Sequence, residues 1–407
     1  MEEKTVMLVK TESTENSNKF YELRMLADGS VASRYGRVGD SGNQGKTEYG
    51  ESGFDRLKRE KERKGYRVVD SGVNGTTGAV KTRSFEDVVA KQIGQGNTHV
   101  ETLVRYLVKA NVHDILSGTA ITYNASSGRF STPVGPVSQA TIDRARTLLM
   151  VHIEPKILGN NFHFVTELNE YMMLIPMNIG RRTFGPETIF PSVGSVEKQY
   201  GILDSLEAAL EIPEEEKEDE EEKIKSSIRL KMEPVDTKEL ERIRTKFLQT
   251  CQNGHASRSL RPVEAFDISV EAMSSQYIGG EGTNVWELWH GTRTANLLSI
   301  LTKGLIIPRS AAHGRMFGDG LYFSDQATKS LNYSMGYWSG AREKECFMFL
   351  ADVNMGNFHV PRGTLSRIPT QYDSCFARAG ESGVSNNEMI VYQTSRAKLS
   401  RLIKLQE

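Results

Sequence analysis

The feature that most limits how this chain can fold is a block of acidic residues just past its midpoint. The segment Glu211–Lys223 (EIPEEEKEDEEEK) holds nine Asp and Glu against two Lys, a local net charge of −7. Like charges at this density repel one another and hold water, so the block cannot lie inside a packed core. It therefore predicts a solvated linker, and the 407 residues must form separate domains on either side of it.

A second boundary is predicted by a Gly- and Thr-rich segment, Ser71–Gly78 (SGVNGTTG), because such residues favour turns and loops over regular structure. The two boundaries divide the chain into domains and linkers. The predicted domains are 1–75, 96–212 and 225–407, and the predicted linkers are 76–95 and 213–224.

Composition excludes several classes of protein. With 38% hydrophobic residues and a net charge of −1, the chain can build proper cores. Its three cysteines, Cys251, Cys346 and Cys375, are too few and too far apart for a disulfide framework or a Cys-rich zinc site. No run approaches the roughly 18 apolar residues of a membrane helix. The first residues, MEEK, lack the basic and apolar regions of a signal peptide. We therefore expect an intracellular protein that holds no metal and binds no membrane.

Local patterns predict the fold class of each domain. In the first, the runs Phe20–Leu26 and Val31–Tyr35 flank Asp28-Gly29, which is a hairpin signal, and a charged helix follows over Glu51–Lys64. This domain is predicted to be small and β-rich.

The other two domains differ from each other in their hydrophobic period. Apolar residues recur at helical spacing over Thr141–Ile153 and Val196–Leu210, which predicts an all-α second domain. The third mixes a helix at Thr294–Lys303 with buried strands at Cys346–Val353 and Met389–Tyr392, which predicts an α+β domain.

Chemistry is concentrated in four segments of the third domain. They are Leu288–Arg293 (LWHGTR), Met316–Asp325 (MFGDGLYFSD), Lys329–Tyr333 (KSLNY) and Asn387–Tyr392 (NEMIVY). In this order they resemble the poly(ADP-ribose) polymerases, which belong to the diphtheria-toxin-like ADP-ribosyltransferase superfamily. The His-Tyr-Glu triad of that family falls on His290, Tyr322 and Glu388.

The resemblance implies that NAD+ is the substrate and assigns a role to each matching residue. The flat, cationic nicotinamide ring would lie between Tyr322 and Tyr333. Its carboxamide would bond to the backbone of Gly291, where a missing Cβ permits close approach, and to the Ser330 hydroxyl. His290 would hold a hydroxyl of the adenine-side ribose. The full set of implied NAD+-binding residues is His290, Gly291, Thr292, Tyr322, Phe323, Lys329, Ser330 and Tyr333.

Glu388 is the implied catalytic carboxylate. Loss of nicotinamide leaves an oxocarbenium-like ribosyl cation, which a nearby carboxylate stabilises, as in glycoside hydrolysis. Glu388 would also polarise the incoming acceptor hydroxyl. Met316 matches a position near the acceptor chain.

The resemblance extends over most of the chain. Residues 1 to about 70 are similar to the WGR domain, with Tyr35-Gly36-Arg37 where the family has Trp-Gly-Arg. In the family this domain binds DNA ends, and Lys19–Arg67 carries 12 Lys and Arg against 8 Asp and Glu, a net charge of +4. The resemblance therefore assigns DNA contacts to Tyr35, Gly36 and Arg37. Segments that resemble the family's regulatory helical domain, which blocks NAD+ entry until DNA binds, are Val134–Ile142, Leu168–Pro176 and Leu203–Glu207.

These features predict a monomeric, DNA-dependent ADP-ribosyltransferase of the nucleus, or of the cytoplasm and nucleoid if the source is prokaryotic. Nicked or broken DNA would activate it to release nicotinamide from NAD+ and to build poly(ADP-ribose) on protein acceptors, including itself. The connection Gly356–Asn387, at 32 residues, is short for the family's polymerases. Because of this short connection, a mono-ADP-ribosyltransferase and an NAD+ glycohydrolase are alternative predictions for the activity. A non-catalytic scaffold that binds DNA ends is the remaining alternative.

Overall fold

The computed structural model of the chain describes thirteen stretches of it. They are residues 4–15, 17–38, 42–45, 47–69, 85–125, 128–132, 135–177, 179, 185–210, 230–252, 254–307, 316–336 and 343–407. The acidic linker 213–224, the segment Ser71–Gly78 and Val134 lie outside these residues. Contacts divide the described chain into an N-terminal unit (up to Phe85, and 112–210) and a C-terminal unit (86–111, and from 230 onward).

The N-terminal unit begins with an antiparallel sheet. Its elements are β1 (Lys4–Glu12), β2 (Ser17–Met25), β3 (Ser30–Arg37), β4 (Asn43–Gln44), β5 (Glu48–Tyr49), α1 (Gly50–Arg63) and β6 (Arg67–Val69). The strand order is β4-β3-β2-β1-β6, and β5 pairs with β3. The predicted hairpin at Asp28-Gly29 is confirmed. Gly29 has a φ of +82°, and the Asp28 carboxylate accepts hydrogen bonds from the backbone N–H and hydroxyl of Ser30 at 2.9 and 2.7 Å.

The helix predicted for this domain is confirmed as α1. Phe54 and Leu57 on its inner face pack with Leu8 and Leu23 of the sheet in one buried cluster. The chain leaves the helix at Gly65, whose φ of +85° is a conformation that glycine adopts without strain. The first domain is therefore β-rich, as predicted, and the inner face of α1 completes its hydrophobic core.

The rest of the N-terminal unit is mainly helical. It contains the end of α3 (Thr98–Gly118), α4 (Gln139–Thr147), a π-helix (Leu148–Ile153), α5 (Glu154–Leu158), α6 (Val165–Leu174), α7 (Pro186–Ile189) and α8 (Val193–Leu210). A three-stranded sheet of β7 (Thr122–Asn124), β8 (Arg129–Thr132) and β9 (Gly135–Pro136) lies among them. The prediction of an all-α domain did not include this sheet.

The helix predicted over Thr141–Ile153 is continuous, but it changes from the α-helix α4 to a π-helix at Leu148. The Ser138 side chain caps α4 by accepting a hydrogen bond from the backbone N–H of Thr141 at 3.2 Å. Leu148, Leu149 and Ile153 of the π-helix all lie in the buried core. A π turn holds more residues than an α turn, so periodicity alone gave the burial but not the turn type.

Helix α6 packs against β1 inside the N-terminal unit. The Asn169 side chain accepts a hydrogen bond from the backbone N–H of Ser13 at 2.8 Å and donates one to Glu12 Oε1 at 3.3 Å. Met173 packs against the apolar cluster of Met7, Val9 and Phe20. The β-rich sheet and the helical region therefore share contacts instead of forming independent bodies.

The C-terminal unit combines two sheets with helices, which confirms the α+β prediction. Its large sheet has the order β10 (Leu230–Pro234), β11 (Arg261–Val270), β18 (Ala397–Gln406), β14 (Glu345–Asn354) and β12 (Val285–Gly291). The smaller sheet has the order β13 (Leu321–Phe323), β17 (Glu388–Val391), β16 (Ser374–Ala377) and β15 (Phe358–His359). The helices are α2 (Phe85–Gly94, from Glu86), the first half of α3, α9 (Thr237–Gln249), α10 (Glu271–Ser274), α11 (Leu297–Lys303) and α12 (Ala327–Ser334).

The first half of α3 belongs to the C-terminal unit. The His99 ring stacks on Phe266 with centroids 5.4 Å apart, and the Tyr106 ring lies 6.0 Å from that of Phe347. The buried Asn111 amide donates to the backbone oxygen of Ala295 at 3.2 Å. The start of the helical domain at residue 96 stays a prediction, and these contacts favour a later boundary. No described helix combines the length and apolar composition needed to cross a bilayer.

Candidate active site

The residues of the predicted triad lie where the two sheets of the C-terminal unit meet. The end of β12 joins the segment after β13 through two backbone hydrogen bonds between Trp289 and Ser324, at 2.8 and 3.0 Å. Strand β13 pairs with β17, so that Tyr322 faces Ile390 in the ladder and Glu388 begins the neighbouring strand. This pairing brings together residues that are about a hundred positions apart in the chain.

His290 is held in one tautomer by the backbone. Its Nδ1 lies 3.0 Å from the carbonyl oxygen of Tyr322, and because a carbonyl only accepts, Nδ1 carries the proton. Burial lowers the pKa of His290, which favours the neutral ring. In that form Nε2 is an acceptor, which suits a ribose hydroxyl. Phe323, predicted to bind NAD+, is 2% exposed and lies 5.5 Å from the imidazole, where it supports the histidine.

Gly291 is required by the packing of α12. A Cβ at this position would lie 1.7 Å from the backbone oxygen of Ser330, a distance no side chain tolerates. The backbone N–H of Thr292 donates to the Ser334 hydroxyl at 3.2 Å, and the Ser330 hydroxyl donates to the Trp289 oxygen at 3.2 Å. The glycine was predicted to allow close approach of a ligand, whereas the space that a side chain would need is filled by α12. A carboxamide bond to its backbone stays a prediction.

The two predicted stacking tyrosines differ in exposure. The Tyr322 hydroxyl donates to the Gly318 oxygen at 2.8 Å and accepts from the backbone N–H of Phe317 at 3.2 Å, which fixes its ring. Tyr333, on α12, is 48% exposed. Met316, the predicted acceptor-site residue, is 36% exposed and follows directly on residues outside the described stretches. A nicotinamide ring held between these two tyrosines stays a prediction.

Glu388 is paired with Lys329. Its Oε1 lies 2.5 Å from the lysine Nζ, and the two side chains are only 15% and 13% exposed. Burial lowers the pKa of Lys329, and the neighbouring Glu388 opposes that shift. Removing either charge would leave the other partly buried without its partner, so the pair acts as a unit. The same lysine also donates to the backbone oxygen of Asn387 at 3.3 Å.

Two further side chains of this site, Asp325 and Asn387, lie within the sequence motifs but were not predicted to have a role. Asn387 donates through Nδ2 to Asp325 Oδ2 at 2.7 Å, directly before Glu388. The signal that could have found them was position, since Asn387 directly precedes Glu388 and Asp325 lies two residues after Phe323. Within the described ranges, no group of three His, Cys, Asp or Glu side chains is placed to hold a metal ion.

Tyr35, one of the three residues predicted to contact DNA, lies in a small aromatic stack in the N-terminal unit. Tyr35 is 42% exposed, and its ring stacks on Tyr21 at 6.0 Å with a 20° interplanar angle. The Lys61 ammonium lies 4.0 Å from the centroid of the Tyr21 ring, a favourable cation–π distance. At Gly36, a Cβ would lie 2.9 Å from the Gly42 Cα, so this glycine allows the neighbouring chain to approach.

Two family models match the chain. The poly(ADP-ribose) polymerase catalytic domain matches residues 237–407, and the WGR domain matches residues 4–73. Among similar proteins, the poly [ADP-ribose] polymerase of Sarcophaga peregrina is 28% identical over 64% of this chain and 27% of its own length. Poly [ADP-ribose] polymerase 1 of Gallus gallus is 26% identical over 67% of this chain and 31% of its own length.

A third relative is named for a different activity. Protein mono-ADP-ribosyltransferase PARP4 of Homo sapiens is 28% identical over 44% of this chain and 11% of its own length. The chain thus spans less than a third of the length of each of these three curated relatives. With a match to the WGR domain followed by a match to the catalytic domain, the chain belongs to the poly(ADP-ribose) polymerase family.

Proposed function

We propose that this protein is a DNA-dependent ADP-ribosyltransferase that cleaves NAD+, releases nicotinamide and transfers ADP-ribose to proteins, including itself. The observation that carries the proposal is the paired, largely buried Glu388 at the start of β17, held by Lys329 at 2.5 Å. A carboxylate fixed in this way is suited to stabilise positive charge that develops on a neighbouring sugar. The family match of residues 237–407 supports the same chemistry.

The reaction follows from the site residues. The C–N bond between ribose and nicotinamide breaks, and its electron pair neutralises the pyridinium nitrogen. Glu388 stabilises the ribosyl cation that remains, while His290 accepts a hydrogen bond from the adenine-side ribose. The acceptor attacks C1′ and gives up its proton, which Glu388 receives. The protein thereby supplies orientation and charge.

The exposed tyrosine on α12 provides a test of the nicotinamide pocket. Replacing Tyr333 with alanine should weaken the binding of NAD+ and of a benzamide-like ligand by roughly 1–3 kcal/mol, the size of one lost aromatic stacking partner. Calorimetry measures the affinities. Tyr333→Phe is the matched control, because it keeps the ring and should bind the benzamide-like ligand nearly as well as the wild type. Equal affinity of the alanine variant and the wild type would contradict the stacking role.

DNA binding is proposed to use the exposed face of Tyr35. The stack of Lys61, Tyr21 and Tyr35 holds this ring in place, and a pre-ordered aromatic ring loses little entropy when a base or sugar stacks on it. Together with the net charge of +4 over Lys19–Arg67, this supports recognition of DNA ends or nicks.

Tyr35→Ala should therefore weaken the binding of a nicked oligonucleotide by roughly 1–3 kcal/mol. Fluorescence anisotropy measures the affinity for the oligonucleotide. The salt concentration is kept fixed, because phosphate contacts make DNA affinity depend strongly on ionic strength. Tyr49→Ala is the control, because Tyr49 is 71% exposed on the same domain and lies outside the stack. A loss as large for Tyr49→Ala as for Tyr35→Ala would show that the stack is not the docking point.

The product is proposed to be poly(ADP-ribose), with mono-ADP-ribosylation as the second candidate. The second candidate is favoured by the short connection Gly356–Asn387, in which β15 and β16 leave only two loops to shape the acceptor side. The proposed helical domain 96–212 would restrain the transferase until DNA binds, and the protein would act where DNA is found, in the nucleus of a eukaryote.

One experiment tests the proposal as a whole. The protein is incubated with labelled NAD+, with and without nicked DNA, and the products are sized. We expect DNA-stimulated release of nicotinamide and a ladder of protein-bound ADP-ribose. Single protein-bound units would replace the polymerase by a mono-ADP-ribosyltransferase. Nicotinamide without protein-bound label would show an NAD+ glycohydrolase, and no release at all would leave a DNA-end-binding scaffold.

A further inference from the structure

The residue before Glu388 is bonded on three sides. The backbone oxygen of Asn387 accepts hydrogen bonds from Lys329 Nζ at 3.3 Å and from the Ser324 hydroxyl at 3.2 Å. Its side-chain Oδ1 accepts from the backbone N–H of Ala379 at 2.9 Å, and its Nδ2 donates to Asp325 Oδ2 at 2.7 Å. One residue thus joins the segment after β13, helix α12 and the loop after β16.

The two sides of the Asn387 amide face partners of opposite polarity. The N–H of Ala379 requires an acceptor, and the Asp325 carboxylate requires a donor. An asparagine meets both needs, whereas an aspartate at the same position meets only the first. The amide orientation is therefore set by its surroundings, and the identity of residue 387 is constrained by two contacts.

The hydrogen bond from Asn387 to Asp325 matters because it stabilises a carboxylate that is partly buried. Asp325 Oδ1 is buried, and no donor in the described part of the chain lies within hydrogen-bond distance of it. The bond from Asn387 Nδ2 satisfies the other oxygen, Oδ2, of this carboxylate. Asp325 also attracts Lys329, the partner of Glu388. Losing the amide would leave a poorly satisfied carboxylate next to the lysine that Glu388 uses.

We propose that Asn387 is a positioning residue of the active site, which works with Asp325 to hold Glu388 and Lys329 in the geometry that the transition state requires. The proposal rests on the proposed function, and it adds a specific pair of residues to it. Because Glu388 follows Asn387 directly, a shift at residue 387 moves the catalytic carboxylate. A displacement of about 1 Å in such a site reduces the rate by about a hundredfold.

The test is a reciprocal exchange assayed by nicotinamide release. Asn387→Asp keeps the acceptor for Ala379 but places a second carboxylate against Asp325. We expect kcat to fall by about a hundredfold, with KM for NAD+ nearly unchanged. In the double variant with Asp325→Asn, the amide at position 325 donates to the carboxylate at position 387. The bond is then re-formed in the opposite direction at the same net charge, and we expect most of kcat to return.

Two comparisons make the result decisive. Asp325→Asn alone should lower kcat much less than Asn387→Asp does, because an asparagine at 325 can still accept from the Asn387 amide. The loss caused by Asn387→Asp should therefore be large when residue 325 is Asp and small when it is Asn. A loss of equal size in both backgrounds, or a change in KM instead of kcat, would overturn the proposal. Asn386→Asp, the same substitution one residue earlier, serves as the charge control and should leave kcat nearly unchanged.

Folding and function are separated by further measurements. Circular dichroism and thermal unfolding are recorded for every variant. If Asn387→Asp does not fold, Asn387→Ala removes the amide without adding a charge, and it must show the same pattern of lowered kcat at unchanged KM for the proposal to stand. An inactive wild type would instead contradict the proposed function, so the two failures are distinguishable.

Discussion

Replacing Glu388 with glutamine should slow nicotinamide release from NAD+ by a factor on the order of 10²–10³ while NAD+ still binds. The glutamine has nearly the same shape, so the start of β17 and the contact to Lys329 can persist. It carries no negative charge, so it cannot balance the ribosyl cation, and it cannot receive the proton of an incoming hydroxyl. Formation of long polymers should be lost for both reasons.

The measurement compares initial rates of nicotinamide release with NAD+ affinity from calorimetry. Glu381→Gln is the matched control, because Glu381 is an exposed glutamate in the loop that precedes β17. Its carboxylate lies 3.8 Å from the Arg378 guanidinium. That variant should react at the wild-type rate. Polymer synthesis by the Glu388→Gln variant at the wild-type rate would remove Glu388 from the catalytic role.

Deleting the helical region should give NAD+ turnover without DNA. A helix bundle can restrain an enzyme in a ligand-dependent way only if it is locally marginal in stability, so that binding elsewhere shifts its population. The sequence predicts the region as 96–212. Residues up to Asn111 pack on the C-terminal unit through Tyr106 and Asn111, so a deletion of 112–210 spares these contacts. We expect both deletion variants to be active without DNA. The variant that lacks only 112–210 should fold better than the variant that lacks 96–212.

A single buried substitution should partly reproduce the deletion. Leu206, on α8, is 0% exposed and lies in the core cluster of the helical region with Leu203 and Ile202. Leu206→Asp buries an unpaired charge and should destabilise this core by several kcal/mol. Leu210→Asp is the matched control, because Leu210 on the same helix is 36% exposed. It should leave DNA dependence intact.

The comparison is NAD+ turnover of each variant without DNA against the wild type with and without nicked DNA. Circular dichroism establishes that the variants are folded. If the deletions and Leu206→Asp are folded and still as inactive as the DNA-free wild type, the helical region does not restrain the transferase.

Much of the local structure could be predicted because its causes are local. The Asp28-Gly29 hairpin depends on a turn residue with positive φ, and α8 depends on an apolar repeat of helical period. The family match confirms the kind of protein that the order of the short motifs around His290, Tyr322 and Glu388 indicated. The roles of individual site residues stay predictions until the variants are measured.

The sequence by itself determined the catalytic domain, the WGR domain and the residue types that could bind NAD+. Sequence motifs and hydrophobic periods are local features, so they can be recognised without the tertiary structure. Only the tertiary structure decided what those residues touch. Residue 291 must be glycine because a Cβ would overlap the Ser330 carbonyl oxygen. The Asn387 amide donates a hydrogen bond to Asp325, and the first half of α3 packs within the C-terminal unit. Each of these depends on two segments far apart in sequence meeting at van der Waals or hydrogen-bond distance. That proximity is set by the packing of the whole domain, and no local pattern encodes it.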